Sequence, residues 1–419
     1  MMRSTVHPLR SAAALAAALA LVLTACSSDD GDAADEASAA TTTTAGDVNG
    51  FDVRAFVETL ASDDFEGRDN ETPGSAAARE FLIGEVSQFA EPAFPDAAGA
   101  AGYEQPYDMG TNILAVIPGG GLADEYLLVG AHYDHHGTVG GSCQGDPDDP
   151  DDEICNGATD NAAGVAAAMD IGRTLAEEGP PRRTVILAFW DGEEDNLVGA
   201  THYVSDPVAP LADTVGYINF DIQGSNLSPA LTDTTVMVGA ETGGPNLIDS
   251  AARATEASTL DTLALSLLFG QGRSDHAVLA AAGVPVVFYT DANNGCYHTV
   301  KDDIDAVDFA KLDQQILAGR ALARDLVATD APPEFDADAP ASTYDDAVEM
   351  LKIVEVAEPD YGLFTAEEQA TVQEYLTDLR AIVEAGPTAF DEEANGILLG
   401  GAVEIVMALA EAVCDGYVS

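Results

Sequence analysis

The chain has 419 residues, 47% of them hydrophobic, enough to build one large folded domain or two ordinary ones. Its 73 acidic residues outnumber 16 basic ones, for a formal net charge of -57. Such a field repels nucleic-acid phosphates and anionic lipid surfaces, which argues against nucleic-acid partners.

Arg3 and Arg10 precede a small apolar run over 12–23 and the tetrapeptide Leu23-Thr24-Ala25-Cys26. The run is too short and too poorly flanked to span a membrane, so residues 1–26 read as an export signal. Its end resembles the lipobox of bacterial lipoproteins, which implies a lipid anchor through Cys26 and an exported protein, anchored at the cell surface or secreted. Residues 27–50 are mostly Ser, Asp, Ala, Thr and Gly with almost nothing to bury, which reads as a disordered tether.

Helical periodicity appears over 53–60 and 75–89, separated by the loop EGRDNETPG. Strand patterns follow at 111–118 and 126–132, then a Gly- and Asp-rich loop and a helix over 161–178. The run TVILAFW from Thr184 is a buried strand ended by Asp191, Gly192 and two adjacent glutamates. Beyond it come a helix over 198–204, strands at 216–221, 235–239 and 284–289, and helices over 245–257 and 308–327. Alternating strands and helices predict an α/β fold, a three-layer α/β/α sandwich with a mostly parallel mixed sheet, spanning residues 51–330. APPEFDADAPA at 331–341 is a Pro-rich acidic linker. After it only helices are predicted, at 343–357, 365–385 and 392–413, with Thr365 and Glu368 as a capping box; this is an all-helical extension over 342–419.

Apart from Cys26, the cysteines are Cys143, Cys155, Cys296 and Cys414, an even number in an oxidising compartment. Three pairings are open, and no pair has the short spacing of a thiolate zinc site. The arrangement put forward joins Cys143 to Cys155 and Cys296 to Cys414, the second bond holding the helical extension beside His298.

At or just beyond strand ends stand His132 and Asp134 in GAHYDHHG, Asp160 in NGATDNAAG, Glu193 and Glu194, Asp221 in YINFDIQG, and His298 in CYHTVKDD. Histidine and carboxylate suit zinc, and five such groups exceed what one open tetrahedral ion needs. They fit two ions sharing a bridging carboxylate, an arrangement that serves hydrolysis. The glutamates are expected to leave an extended backbone in opposite directions, one toward metal and one toward water. Each residue also has a plainer reading: structural histidines, a helix cap at Asp160, a strand-ending turn acid at Asp221.

In this order the set resembles the secreted di-zinc aminopeptidases, the bacterial leucyl aminopeptidase and aminopeptidase Y type, over roughly residues 52–326 and including EGRDNETPG. The resemblance implies one zinc held by His132, Asp160 and Asp221 and a second by Asp160, Glu194 and His298. It further implies Glu193 as general base toward a metal-activated water, Asp134 as the acid orienting His132, and Tyr297 as an oxyanion-stabilising hydroxyl. His135, His136 and His202 match no ligand position and are read as structural, while Asp275 and His276 are read as support. The acidic insert with Asp146, Asp148, Asp149, Asp151 and Asp152 could bind calcium or be a solvated loop. Peptides are the implied substrates and a monomer the expected state. Three rivals stand beside this reading: a single-zinc glutaminyl-peptide cyclotransferase, which FWDGEED also resembles, a carboxypeptidase, and a non-catalytic peptide-binding surface lipoprotein.

Overall fold

The computed structural model describes residues 50–293, 295–410 and 414. The expected export signal, Cys26 and the tether up to residue 49 lie outside the described residues. Among the described residues nine strands form one sheet: β1 (Glu91–Pro92), β2 (Glu104–Tyr107), β3 (Gly110–Ile117), β4 (Leu122–His132), β5 (Arg183–Trp190), β6 (Thr214–Phe220), β7 (Thr234–Val238), β8 (Asp261–Leu265) and β9 (Val286–Thr290). Their order is β1-β3-β5-β4-β6-β9-β7-β8, with β2 paired to β3. The centre, β5-β4-β6-β9, is parallel. Antiparallel pairing flanks it, through β3 on β5 and β7 on β9, and β8 runs parallel to β7 at the far edge.

The three layers follow from the period-2 alternation of strand side chains. On β5, Val185, Leu187 and Phe189 enter one core, while Ile186, Ala188 and Trp190 enter the other. The first core is covered by α1 (Val53–Leu60), α2 (Pro73–Val86), α3 (Ala163–Glu177), α5 (Gly244–Thr255) and α7 (Phe309–Ala328). The second lies under α4 (Val198–Ser205) and α6 (His276–Ala281). Caps fix the helix starts where the sequence offers oxygen acceptors. Asp52, Thr72 and Asp308 accept from backbone N–H groups of α1, α2 and α7, and Pro73 sits at a position that has no helical N–H to lose.

Beyond residue 341 come α8 (Tyr344–Val356), α9 (Ala366–Ala385) and α10 (Glu392–Ala410). The capping box of Thr365 and Glu368 is present. These helices do not stand apart: Ile353, Leu376 and Leu398 share a core with Val238, Leu263, Leu265 and Phe288 at the β7–β8 end of the sheet. Asp346 of α8 accepts from the backbone N–H and hydroxyl of Ser266, locking the extension onto the loop after β8. The linker is likewise tied down, since Thr242 and Asn246 hydrogen-bond it at Asp336 and Pro332. Among the described residues no helix is long and apolar enough to cross a membrane.

Both expected disulfides form, Cys143–Cys155 and Cys296–Cys414, with Cα separations of 5.9 and 4.6 Å.

Candidate metal centre

Parallel strands bring their C-terminal ends to one edge, and there the chain places its polar residues. His132 is the last residue of β4, Asp221 follows β6, and Glu193 and Glu194 follow β5. Asp160 sits just before α3, and His298 comes from the loop after β9.

His132 Nε2 lies 3.2 Å from both Asp160 Oδ1 and Asp221 Oδ1. The other oxygen of Asp160, Oδ2, is 3.3 Å from His298 Nε2, and Glu194 Oε2 is 3.3 Å from the same nitrogen. Asp160 therefore turns one oxygen to each histidine. His132, Asp160 and Asp221 form one group with ligand atoms at metal-binding distance, and Glu194 with His298 belongs to a second.

Two residues that the sequence left as structural belong here. His135 Nδ1 is 2.9 Å from Glu194 Oε1, and His136 Nε2 is 3.0 Å from Glu194 Oε2. Both join groups able to hold a metal, His135 with Asp160 and Glu194, His136 with Glu194 and His298. They follow Asp134 directly in the sequence, and the fold after β4 brings both onto Glu194. His202 does lie elsewhere, stacked on the ring of Tyr107.

The adjacent glutamates diverge, although they sit in a turn and not in the extended run expected of them. Glu194 faces the histidines, whereas Glu193 lines a cavity together with Asp160, Asp221 and Tyr297. The turn is held by Asp134, whose carboxylate accepts from the backbone N–H groups of Glu193 and Glu194, both at 3.1 Å. Its Oδ1 stands 3.6 Å from His132 Nδ1, which approaches the backbone oxygen of Asp134 at 3.1 Å. Asp134 thus orients the glutamates more directly than the histidine assigned to it. The ring of Tyr297 stacks on His298 with centroids 3.5 Å apart.

Behind the cluster, buried Asp302 accepts from the N–H and hydroxyl of Thr159 and from Asp160 N–H, fixing the approach to α3. The EGRDNETPG loop supplies Arg68, fully buried, which donates to the carbonyls of Leu60, Tyr133, Asn156 and Gly157. It ties the segment after His132 to the segment before Asp160. Burial lowers its pKa to about 10, against the pull of Asp302 and Asp160. The preceding Gly67 has a φ of +68°, and a Cβ there would come within 2.4 Å of Gly137 O, so this turn admits only glycine.

Electrostatics show what the cluster needs. Burial opposes charge on Glu194, yet the imidazoles of His135, His136 and His298 outweigh it and hold its pKa well below the usual range. Burial likewise opposes a charged His298, but Asp160 and Glu194 raise it to about 9. Glu193 is pushed well up by burial, with His132 opposing and Asp221 and Glu194 adding to the rise. So many buried carboxylates require cations, and imidazole with carboxylate is a donor set suited to zinc. Among the described residues the groups at metal distance all lie in this cleft. Among the described residues no such group lies in the acidic insert, whose Asp146 pairs with Lys301 at 3.0 Å.

Residues 112–320 match the model of Peptidase family M28. The chain belongs to this family of zinc-dependent peptidases. It is 26% identical over 292 residues to the leupeptin-inactivating enzyme 1 of Streptomyces exfoliatus, covering 62% of this chain and 57% of that one. This M28 chain therefore spans little more than half the length of that relative. Among solved structures it resembles the LapA aminopeptidase of Legionella pneumophila, with a TM-score of 0.52, 17% identity, and coverage of 68% of this chain and 72% of that one. It is similar also to the glutaminyl cyclase of Porphyromonas gingivalis, with a TM-score of 0.51, 18% identity, and coverage of 65% and 96%. At these identities the two structures establish the α/β fold.

Proposed function

We propose that this M28 chain is a zinc-dependent aminopeptidase, removing N-terminal residues from peptides with two ions in the cleft. The observation that carries the reading is Asp160, whose two oxygens approach His132 and His298 at 3.2 and 3.3 Å, while Glu193 lines the adjoining cavity. His132, Asp160 and Asp221 would hold one zinc; Asp160, Glu194 and His298 would hold the other, with His135 and His136 beside it. Bound zinc supplies Lewis acidity, polarising a carbonyl and lowering the pKa of water.

Glu193 takes the proton of the attacking water and returns it to the departing amine, a role suited to a carboxylate beside the ligands but not among them. The N–H groups of Glu193 and Glu194 on Asp134 hold that carboxylate in place. The hydroxyl of Tyr297, whose pKa burial raises so that it stays a donor, stabilises the oxygen on which charge develops. The free amino terminus of the peptide settles among the carboxylates, which favours an aminopeptidase over a carboxypeptidase.

The reading extends to location. Export and a lipid anchor through Cys26 are supported by the Leu-x-Ala-Cys end of the N-terminal apolar run and by two disulfides, which belong to an oxidising compartment. The chain acts as a monomer in this proposal. Cys26→Ala should release the protein from the membrane fraction.

Glu193→Gln is expected to keep its zinc and lose ~10²–10⁴-fold in turnover, while Glu194→Gln loses metal. Leucyl and alanyl anilides should be hydrolysed and their N-acetyl counterparts should not. Ammonia released from an N-terminal glutaminyl peptide, with both anilides intact and one zinc per chain, would reverse the assignment in favour of cyclisation.

A further inference from the structure

The cavity that begins at Asp160, Glu193, Asp221 and Tyr297 does not end in the catalytic layers. It has a volume of about 100 Å³ and continues past Val236, Leu265, Phe269 and Phe288 to Met350 and Ile353 of α8 and Ala402 and Ile405 of α10. Away from the carboxylates this lining is mostly apolar, with Gln271, Arg273, Thr290, Asn293 and Tyr297 as its polar members. Its far wall comes from the helical extension, outside the stretch of residues 112–320 that matches the family.

That wall is held in place three times over. Asp346 anchors α8 to Ser266. Helix α10 crosses α9 closely enough that a Cβ on Gly401 would meet the ring of Tyr375, which sets the neighbouring Ala402 against the cavity. Finally, Cys414 beyond α10 is bonded to Cys296, the residue before Tyr297 and His298. A wall fixed to both the sheet and the site loop can define the depth of a pocket, which a loosely attached appendage cannot.

We infer that the helical extension sets the side-chain specificity of this site. Met350, Ile353, Ala402 and Ile405 close a pocket that receives the side chain of the substrate's first residue and selects large apolar ones. The inference rests on the aminopeptidase reading, because it is cleavage beside Glu193 that places the first side chain in this cavity. Small Ala402 leaves the room that a branched aliphatic side chain fills, and an apolar pocket discriminates by the methylenes it can bury.

Two variants test it in the full zinc-loaded chain, each checked for folding by thermal melting and for zinc content. Ala402→Leu fills the pocket and should lower the leucyl-to-alanyl ratio of kcat/KM by roughly 10-fold or more. Ile405→Ala enlarges it and should shift preference from leucyl toward phenylalanyl anilide. Ratios within twofold of wild type in the folded variants would overturn the inference. Calorimetric binding of 3-methylbutylamine against methylamine separates pocket from reaction, since neither amine can be hydrolysed. Suppose no anilide is cleaved: the reaction reading then fails, and a preference for the branched amine that Ala402→Leu abolishes still sustains the pocket. Equal binding of the two amines by wild type would remove it.

Discussion

His136 Nε2 lies 2.9 Å from Nδ1 of His298, with Glu194 Oε2 only 3.0 Å from the same His136 nitrogen. A histidine so placed is either a ligand or the group that orients one, and in both cases metal affinity depends on it. His136→Ala should weaken zinc binding roughly 10–100-fold, measured by competition with a chromogenic chelator, while far-ultraviolet circular dichroism stays that of the wild type. Unchanged affinity would reduce His136 to a space-filling role.

Arg68 illustrates a different dependence, of the site on its scaffold. Its guanidinium donates to four carbonyls from three segments, all of buried residues. Arg68→Met fits the space but takes the donor from the carbonyls of Leu60, Tyr133 and Asn156, while Gly157 keeps the N–H of Ala162, at a cost of about 3 kcal/mol or more given 1–3 kcal/mol for each buried unsatisfied group. Urea unfolding of the zinc-free protein should show the loss. Because Arg68 joins the Tyr133 and Gly157 segments, zinc affinity should fall with it.

How legible all this was in the sequence varies with the range of the interaction. The strands that lead to the expected ligands, ending at His132, Trp190 and Phe220, are buried apolar runs punctuated by polar residues, a local signal. β8, Asp261–Leu265, was missed because its exposed Asp261 and Ala264 dilute the pattern, and α6 because six residues show too little periodicity. The five expected ligands were readable from order and type, and they converge. His135 and His136 were not, since only the folded loop after β4 turns them back onto Glu194. The reach of α8 and α10 to the cavity beside Glu193 was beyond the sequence too: it depends on packing of Leu227, Val238 and Leu265 against distant helices of the extension, with only the proposed Cys296–Cys414 bond hinting at it.

His276 offers a pH test away from the ligands. Its ring is fully buried and stacks on Phe288 with centroids 4.2 Å apart, and burial lowers its pKa from 6.5 to about 3. In the unfolded chain the imidazole takes a proton below about pH 6.5, whereas the folded protein refuses it until about 3. The unfolded state thus binds more protons in that window, so stability is full above it and declines as pH falls, by about 1.4 kcal/mol per unit from this group alone. His276→Phe removes the group and keeps the stack. Urea midpoints between pH 7 and 4 should fall less steeply for the variant, and parallel slopes would count against a buried neutral His276.

The last prediction concerns the Cys296–Cys414 bond. It closes a loop with a sequence separation of 118, against 12 for Cys143–Cys155. If a disulfide stabilises mainly by restricting the unfolded chain, the longer loop is worth about 4–5 kcal/mol and the shorter about 3. Cys414→Ser should therefore destabilise more than Cys155→Ser, in urea titrations run under oxidising conditions. The two variants should also differ in kind. Cys155 supports the segment that leads to Asn156 and Gly157, both held by Arg68, so its loss bears on metal retention. Cys414 supports the chain after α10, so its loss should leave zinc content near that of the wild type while loosening the wall formed by Ala402 and Ile405. The leucyl-to-alanyl preference should then flatten in Cys414→Ser and not in Cys155→Ser. A Cys414→Ser protein of wild-type stability and undiminished preference would mean that α8, α9 and the Asp346–Ser266 contact hold the extension without the covalent tie.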